Sequence, residues 1–165
     1  MAEQEPAILT IKPKLLVGMH MLTSLDENQT VALWQQFMPR RTEIPDTLSK
    51  DLYSVSLFGH ELQYGTFDAN TKFEKWAAMA VSDLGVLPDN MAPLLVSGGL
   101  YARFIHYGTY ASFSETLDLM YRQWLPNSGY QLDNRAHFEV MTEKYLGPSD
   151  PNSEEEIWIP IKPIE

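Results

Sequence analysis

Apolar residues recur at helical spacing in two separate stretches of the chain. Phe113, Leu117, Met120, Tyr121 and Trp124 share one helical face, and Val31, Trp34, Phe37 and Met38 do so less regularly. Each stretch follows a Ser-x-x-Glu box, Ser112–Glu115 and Ser24–Glu27, the pattern that satisfies free backbone N–H groups at a helix start. Each ends at a proline, Pro126 and Pro39, which lacks an N–H and clashes with the preceding turn. The starts lie 88 residues apart (24 to 112) and the stops 87 (39 to 126), with Gln36-Phe37 matching Gln123-Trp124. The pattern predicts two equivalent helices in a chain that repeats itself.

Strand-like segments surround both helices. Ile8 to Met21 is rich in β-branched and aliphatic residues and is broken at Pro13, while Leu100 to Tyr107 lies between Gly98-Gly99 and Gly108. Leu52 to Phe58 and Lys75 to Val81 follow the first helix; His137 to Tyr145 and Glu156 to Ile161 follow the second. Each half therefore reads strand, helix, strand, strand. The expected fold is α+β: duplicated β-α-β-β repeats with pseudo-two-fold symmetry, antiparallel sheets and a ligand cleft between the halves. Residues 1–165 form one domain in this reading, with repeat 1 at about 6–83, repeat 2 at about 94–163 and Leu84–Pro93 as connector. Gly147–Asn152 is a turn-forming loop between the last two strands.

Composition narrows the chemistry. The 165 residues carry 12 Lys+Arg against 22 Asp+Glu, a net charge of -10, and no cysteine. A disulfide scaffold, a thiolate zinc site and a cysteine nucleophile are excluded. The acidity disfavours direct nucleic-acid contact, which needs Lys and Arg to displace phosphate counterions, and suits cationic ligands or basic partner surfaces. With no apolar run of membrane-spanning length and an acidic start, the expectation is a cytoplasmic protein that does not enter a membrane. The histidines at 20, 60, 106 and 137 show no metal-site spacing. His20 and His106 fall late in the first strand of each half and read as structural equivalents. No phosphate-binding loop and no G-x-S-x-G elbow is present, so no cofactor or metal is expected.

Glu139 is the residue that stands out. Within His137–Met141, alternation sends Phe138 and Val140 to one face, and His137, Glu139 and Met141 to the other. If the Phe138 face packs on a helix, Glu139 points to solvent, which periodicity alone favours, or into the cleft. A carboxylate in an aromatic cleft would be desolvated and would welcome an organic cation. Most aromatic residues belong to a core in this reading, Trp34 and Trp124 above all. The strand residues Tyr53, Trp76, Tyr101 and Trp158, with Tyr145, are the pocket candidates, Trp76 and Trp158 holding the same place in the two halves. The acidic run Glu154–Glu156 reads as a solvated edge that guards a strand.

The stretches Gly99–Gly108, Trp124–Tyr130, Asp133–Glu139 and Ile157–Lys162 together resemble the GyrI-like, or AraC-type, effector-binding domain. The resemblance implies a small-molecule cleft between repeats and a glutamate, here Glu139, that faces it and recognises cationic, lipophilic ligands. Met141 stands where many relatives carry a tyrosine, so a softer wall replaces a phenol. Regulator relatives place a helix-turn-helix ahead of this domain, whereas here the first strand begins almost at Met1. The leading expectation is a small-molecule binding module built on Glu139, Met141, Tyr53, Trp76, Tyr101, Tyr145 and Trp158. The alternatives are a hydrolase of strained-ring cyclopropanoid compounds with Glu139 as general base, and a gyrase-inhibitor-like or regulator-directed protein interaction.

Overall fold

Alternating apolar and polar positions become nine strands, and a computed structural model describes residues 4–59, 62 and 65–164. The strands are β1 (Ala7–Ile11), β2 (Lys14–Thr23), β3 (Leu52–Leu57), β4 (Phe73–Ala80), β5 (Ala92–Val96), β6 (Gly99–Tyr107), β7 (Tyr130–Leu132), β8 (His137–Met141) and β9 (Glu154–Pro163). Helix α1 (Thr30–Phe37) follows β2 and helix α2 (Phe113–Asp118) follows β6. A six-residue π turn, Leu119–Trp124, extends α2, and 3-10 turns extend both helices across Pro39 and Pro126. No helix among the described residues is long and apolar enough to cross a membrane.

Eight strands form one antiparallel sheet in the order β1-β6-β9-β8-β3-β4-β2-β5, and β7 adds to the far end of β9. The sequence β6-β9-β8 mirrors β2-β4-β3, and the two halves join where β8 meets β3. Register places the pseudo-two-fold at the pair Val55↔Phe138: Val55 also faces Trp76, and Phe138 also faces Trp158. The two tryptophans are thus equivalent, and each indole N–H donates to the glutamate two residues earlier, Glu74 or Glu156.

This register corrects one expectation. His20 pairs with Trp76, and the residue paired with Trp158 is Arg103, not His106. His20 stacks on Trp76 at 4.3 Å between ring centroids, as the Arg103 guanidinium lies over Trp158. His106 instead points to the helix side, where its two ring nitrogens meet Thr116 Oγ1 and the Thr109 carbonyl.

The halves also exchange their outermost strands. β1 leads into β2 yet pairs with β6, and β5 leads into β6 yet pairs with β2. The expected connector Leu84–Pro93 therefore ends inside a strand. Pro93 is tolerated there because β5 is an edge strand, bonded on one side only.

Helix starts differ from expectation as well. Ser24 Oγ accepts from the Glu27 N–H within a turn, and α1 begins six residues later with no side-chain cap. Ser112 occupies the cap position of α2, but its hydroxyl donates to the Thr109 carbonyl. On α1 the buried residues are Leu33 and Phe37, while Val31 is 69% exposed.

Three apolar clusters result. Each helix covers one on the same face of the sheet: Val17, Leu33, Phe37, Ala77 and Met79 under α1, and Ala102, Phe104, Met120, Ile157 and Ile159 under α2. The third, with Tyr53, Val55, Trp76, Tyr101, Phe138 and Trp158, lies on the opposite face and spans both halves. Neither α1 nor α2 packs on it.

Candidate functional site

α1 rests on β2 and β4, and α2 packs over β6 and β9. The central strands β3 and β8 therefore form the floor of a groove between the helices. Alternation sends Leu52, Ser54 and Ser56 of β3 to this side, opposite Met141, Glu139 and His137 of β8 in register. β4 contributes Lys75, buried, whose ammonium donates to Ser56 Oγ at 2.9 Å. β9 contributes Glu155, diagonal to Glu139 because Glu139 pairs with Ile157. The two carboxyl groups are close enough to share a hydrogen bond.

Aromatic rings close one end. Phe58 packs edge-on to His137 with centroids 4.9 Å apart and touches Phe67 and Phe73 at 5.3 and 4.8 Å. From the α2 extension, the Tyr121 hydroxyl meets His137 Nδ1 in a long 3.4 Å hydrogen bond. At the other end, the Leu52–Met141 pair opens into a cavity of about 430 Å³ that Tyr145 also lines.

The electrostatics follow from this partial enclosure. Burial, then the charge of Glu139, pushes the Glu155 carboxyl up to about 8, against the opposing pull of Lys75. Burial pushes the His137 imidazole down to about 3, helped by the positive charges of Lys75 and Arg135, so it is neutral at physiological pH. Burial and Glu139 raise the Tyr121 phenol, and burial and Glu155 raise that of Tyr145.

The residues singled out in the sequence separate into two groups. Glu139, Met141 and Tyr145 lie together on the helix-bearing side. Tyr53, Trp76, Tyr101 and Trp158 lie on the opposite face, each 8% exposed or less, and do not share a cleft with Glu139. Tyr101 donates to the Ala136 carbonyl at 2.8 Å, both indoles are held by their glutamates, and burial lifts the Tyr53 and Tyr101 phenols to about 12. The condition that the Phe138 face packs on a helix is reversed, because the helices cover the Glu139 side.

The acidic run is also not a solvated edge. Glu154–Glu156 opens β9, which is paired with β6 along this stretch, and all three side chains are only partly exposed. Lys75, Glu155, Tyr121, His137 and the phenylalanine wall were not singled out in the sequence. A signal existed for two of them: Glu155 shares the parity of Ile157, Ile159 and Ile161, and Lys75 shares that of Ala77 and Met79, which pack under α1. Among the described residues no cluster of three or more His, Asp or Glu could hold a metal; His60 lies outside them.

Asp133–Arg135, part of the motif set, fastens the second half. Arg135 donates to Asp133 Oδ2 at 2.7 Å and to the Gly98, Leu100 and Ile161 carbonyls, with its guanidinium over Tyr101. Although burial opposes it, hydrogen bonds from Arg135 and Asn134 hold the Asp133 carboxyl below its ordinary range. A second cavity, about 470 Å³, lies between the N-terminal segment Gln4–Ile8 and the end of the second helix, away from Glu139.

The profile of the GyrI-like small molecule binding domain matches residues 4–162. The chain belongs to this family. Transcriptional regulator BrlR of Pseudomonas aeruginosa is 28% identical over 148 residues, which cover 88% of this chain and 51% of that protein. The chain thus spans about half the length of the curated relative it matches. Among solved structures, SAV2435 bound to tetraphenylphosphonium superposes with a TM-score of 0.70 at 14% identity, covering 96% of this chain and 94% of the other. The EcmrR C-terminal domain gives 0.71 at 15% identity, with 97% and 98% coverage. At these identities the structural likeness shows a shared fold.

Proposed function

We propose that the groove between α1 and α2 binds a cationic, lipophilic small molecule that sits against the Glu139 carboxylate. The observation that carries this reading is the position of Glu139: half-buried, midway between a phenylalanine wall and the Met141–Tyr145 cavity. A desolvated carboxylate gains from an organic cation, while phenylalanine rings and a polarizable thioether suit its apolar body. The tetraphenylphosphonium-bound SAV2435 structure, of the same fold, supports this ligand chemistry. Regulator relatives favour a role in sensing the ligand and passing its presence to another module or protein.

Calorimetry with tetraphenylphosphonium and with neutral triphenylphosphine oxide tests the reading. Glu139→Gln is expected to weaken the cation at least about tenfold, or ~1.4 kcal/mol, and to leave the neutral compound nearly unaffected. Equal loss for both would remove charge recognition from the site. Recovery of unaltered ligand by mass spectrometry distinguishes binding from turnover.

A further inference from the structure

We propose that Glu155 is a second carboxyl group of this site and that it gives up its proton as a monocation enters, so that ligand capture and proton release are one event. The inference rests on the reading above that the groove takes an organic cation.

Geometry supports it first. Glu139 and Glu155 stand on neighbouring strands, on the same face, at a diagonal of the β8–β9 register, within reach of a shared hydrogen bond. Tyr145, on the cavity wall, lies near enough to Glu155 to feel its charge. Glu155 is thus positioned between the Glu139 carboxylate and the open end of the groove.

Charge balance supplies the second argument. Lys75, from β4, is the buried cation facing the pair, and it offsets Glu139. His137, on β8, is held neutral by burial and by Lys75 and Arg135. Tyr121, from the α2 extension, and Tyr145 are phenols held protonated by burial and by the carboxylates. His106, the β6 partner of Glu155 in register, has both ring nitrogens occupied by Thr116 and Thr109. With Glu155 protonated the buried charges of Lys75 and Glu139 cancel, while Lys50, Asp51 and Glu143 line the open end, where solvent screens them. A monocation would leave one uncompensated positive charge in a low-dielectric site, a costly arrangement. Heterolysis of the Glu155 O–H bond restores neutrality: the electron pair stays on the carboxylate and the proton passes to the buffer. The balance suits this exchange near neutral pH, because Glu155 is pushed up to about 8.

The test is calorimetric titration of the full chain with tetraphenylphosphonium at pH 7, in phosphate and in Tris, whose ionisation heats differ widely. The wild-type heat is expected to differ between buffers by the amount for release of close to one proton. Its affinity should rise between pH 6 and 8, by up to about tenfold per unit, and level off above. Glu155→Gln should bind the cation with buffer-independent heat and a flat pH profile. Buffer-independent heat in the wild type, or proton release that persists in Glu155→Gln, overturns the proposal while leaving the cation reading standing. Failure of the wild type to bind the cation at all overturns both. The wild-type pH profile decides the matter without the variant, should Glu155→Gln not fold.

Discussion

Glu155 and His137 tilt the stability of the fold in opposite directions as pH changes. The Glu155 carboxyl ionises near 4.5 in the unfolded chain but near 8 in the native one, so between those values the native state holds a proton the unfolded chain has lost. Stability therefore falls as pH rises through that window. His137 has a native value near 3 against 6.5, so its contribution is complete above 6.5 and is lost as pH falls toward 3. Glu155→Gln is expected to stabilise the protein at pH 8 by about 1–2 kcal/mol, discounted for its partial exposure, with the gain vanishing near pH 4. Urea unfolding followed by tryptophan fluorescence at pH 4, 6 and 8 measures it; a gain independent of pH would contradict the assignment. The same two residues show what alternation can reveal. It correctly groups His137, Glu139 and Met141 on one side of β8, because side-chain parity is a local property of an extended chain. It cannot say what covers that side, because helix packing and sheet curvature are set by distant segments. Glu155 was masked by its acidic neighbours, although its parity with Ile157 and Ile159 places it on the inner face.

At the scale of the element, β2 has the tightest constraint in the fold. A Cβ on Gly18 would lie 2.0 Å from the Ala77 carbonyl oxygen and 2.6 Å from Ala78 Cα, backbone atoms that cannot turn aside. Gly18 pairs with Ala78 on one side and Ala92 on the other, so widening this point disturbs β4 and β5 together. Gly18→Ala is expected to cost about 2–4 kcal/mol and to lower the thermal midpoint by roughly 5–12 °C. Gly85→Ala is the control, since its nearest contact is Pro45 Cγ at 3.4 Å and little should change. A Gly18→Ala protein as stable as wild type in a thermal scan would mean that β2 and β4 are further apart than described. Periodicity and prolines disclosed both helices, yet not where they start. The serine hydroxyls that suggested caps found nearer partners in turns, at Glu27 N–H and the Thr109 carbonyl. Pro93 disguised β5 as a connector, because an edge strand needs no second donor and leaves no local trace of its pairing.

For the whole molecule, the exchanged strands decide how the halves hold together. Three antiparallel pairings cross between them: β1 with β6, β2 with β5, and β3 with β8, each with five residue pairs in register. Only the repeat, not the exchange, is readable from the sequence, since two equivalent halves offer each edge strand two equivalent places to dock. The chain between β4 and β5 takes no part in these pairings, and Leu84 and Val86 in it are exposed. Cutting it should therefore leave the protein assembled. A protease site inserted at residues 85–87 is expected to yield two fragments that co-elute in gel filtration at the mass of the intact 18.9 kDa chain and separate only in denaturant. Each fragment expressed alone should fail to give a stable folded species, because one loses the partner of β1 and the other the partner of β5, and both expose one side of the β3–β8 seam. The groove straddles that seam, with α1 and Lys75 from one half and α2, Glu139 and Glu155 from the other. The nicked protein should thus keep its affinity for tetraphenylphosphonium within about threefold, an energy difference below ~0.7 kcal/mol. Spontaneous separation of the fragments in native buffer would refute the exchange, and loss of binding from fragments that remain together would place the ligand elsewhere than the seam.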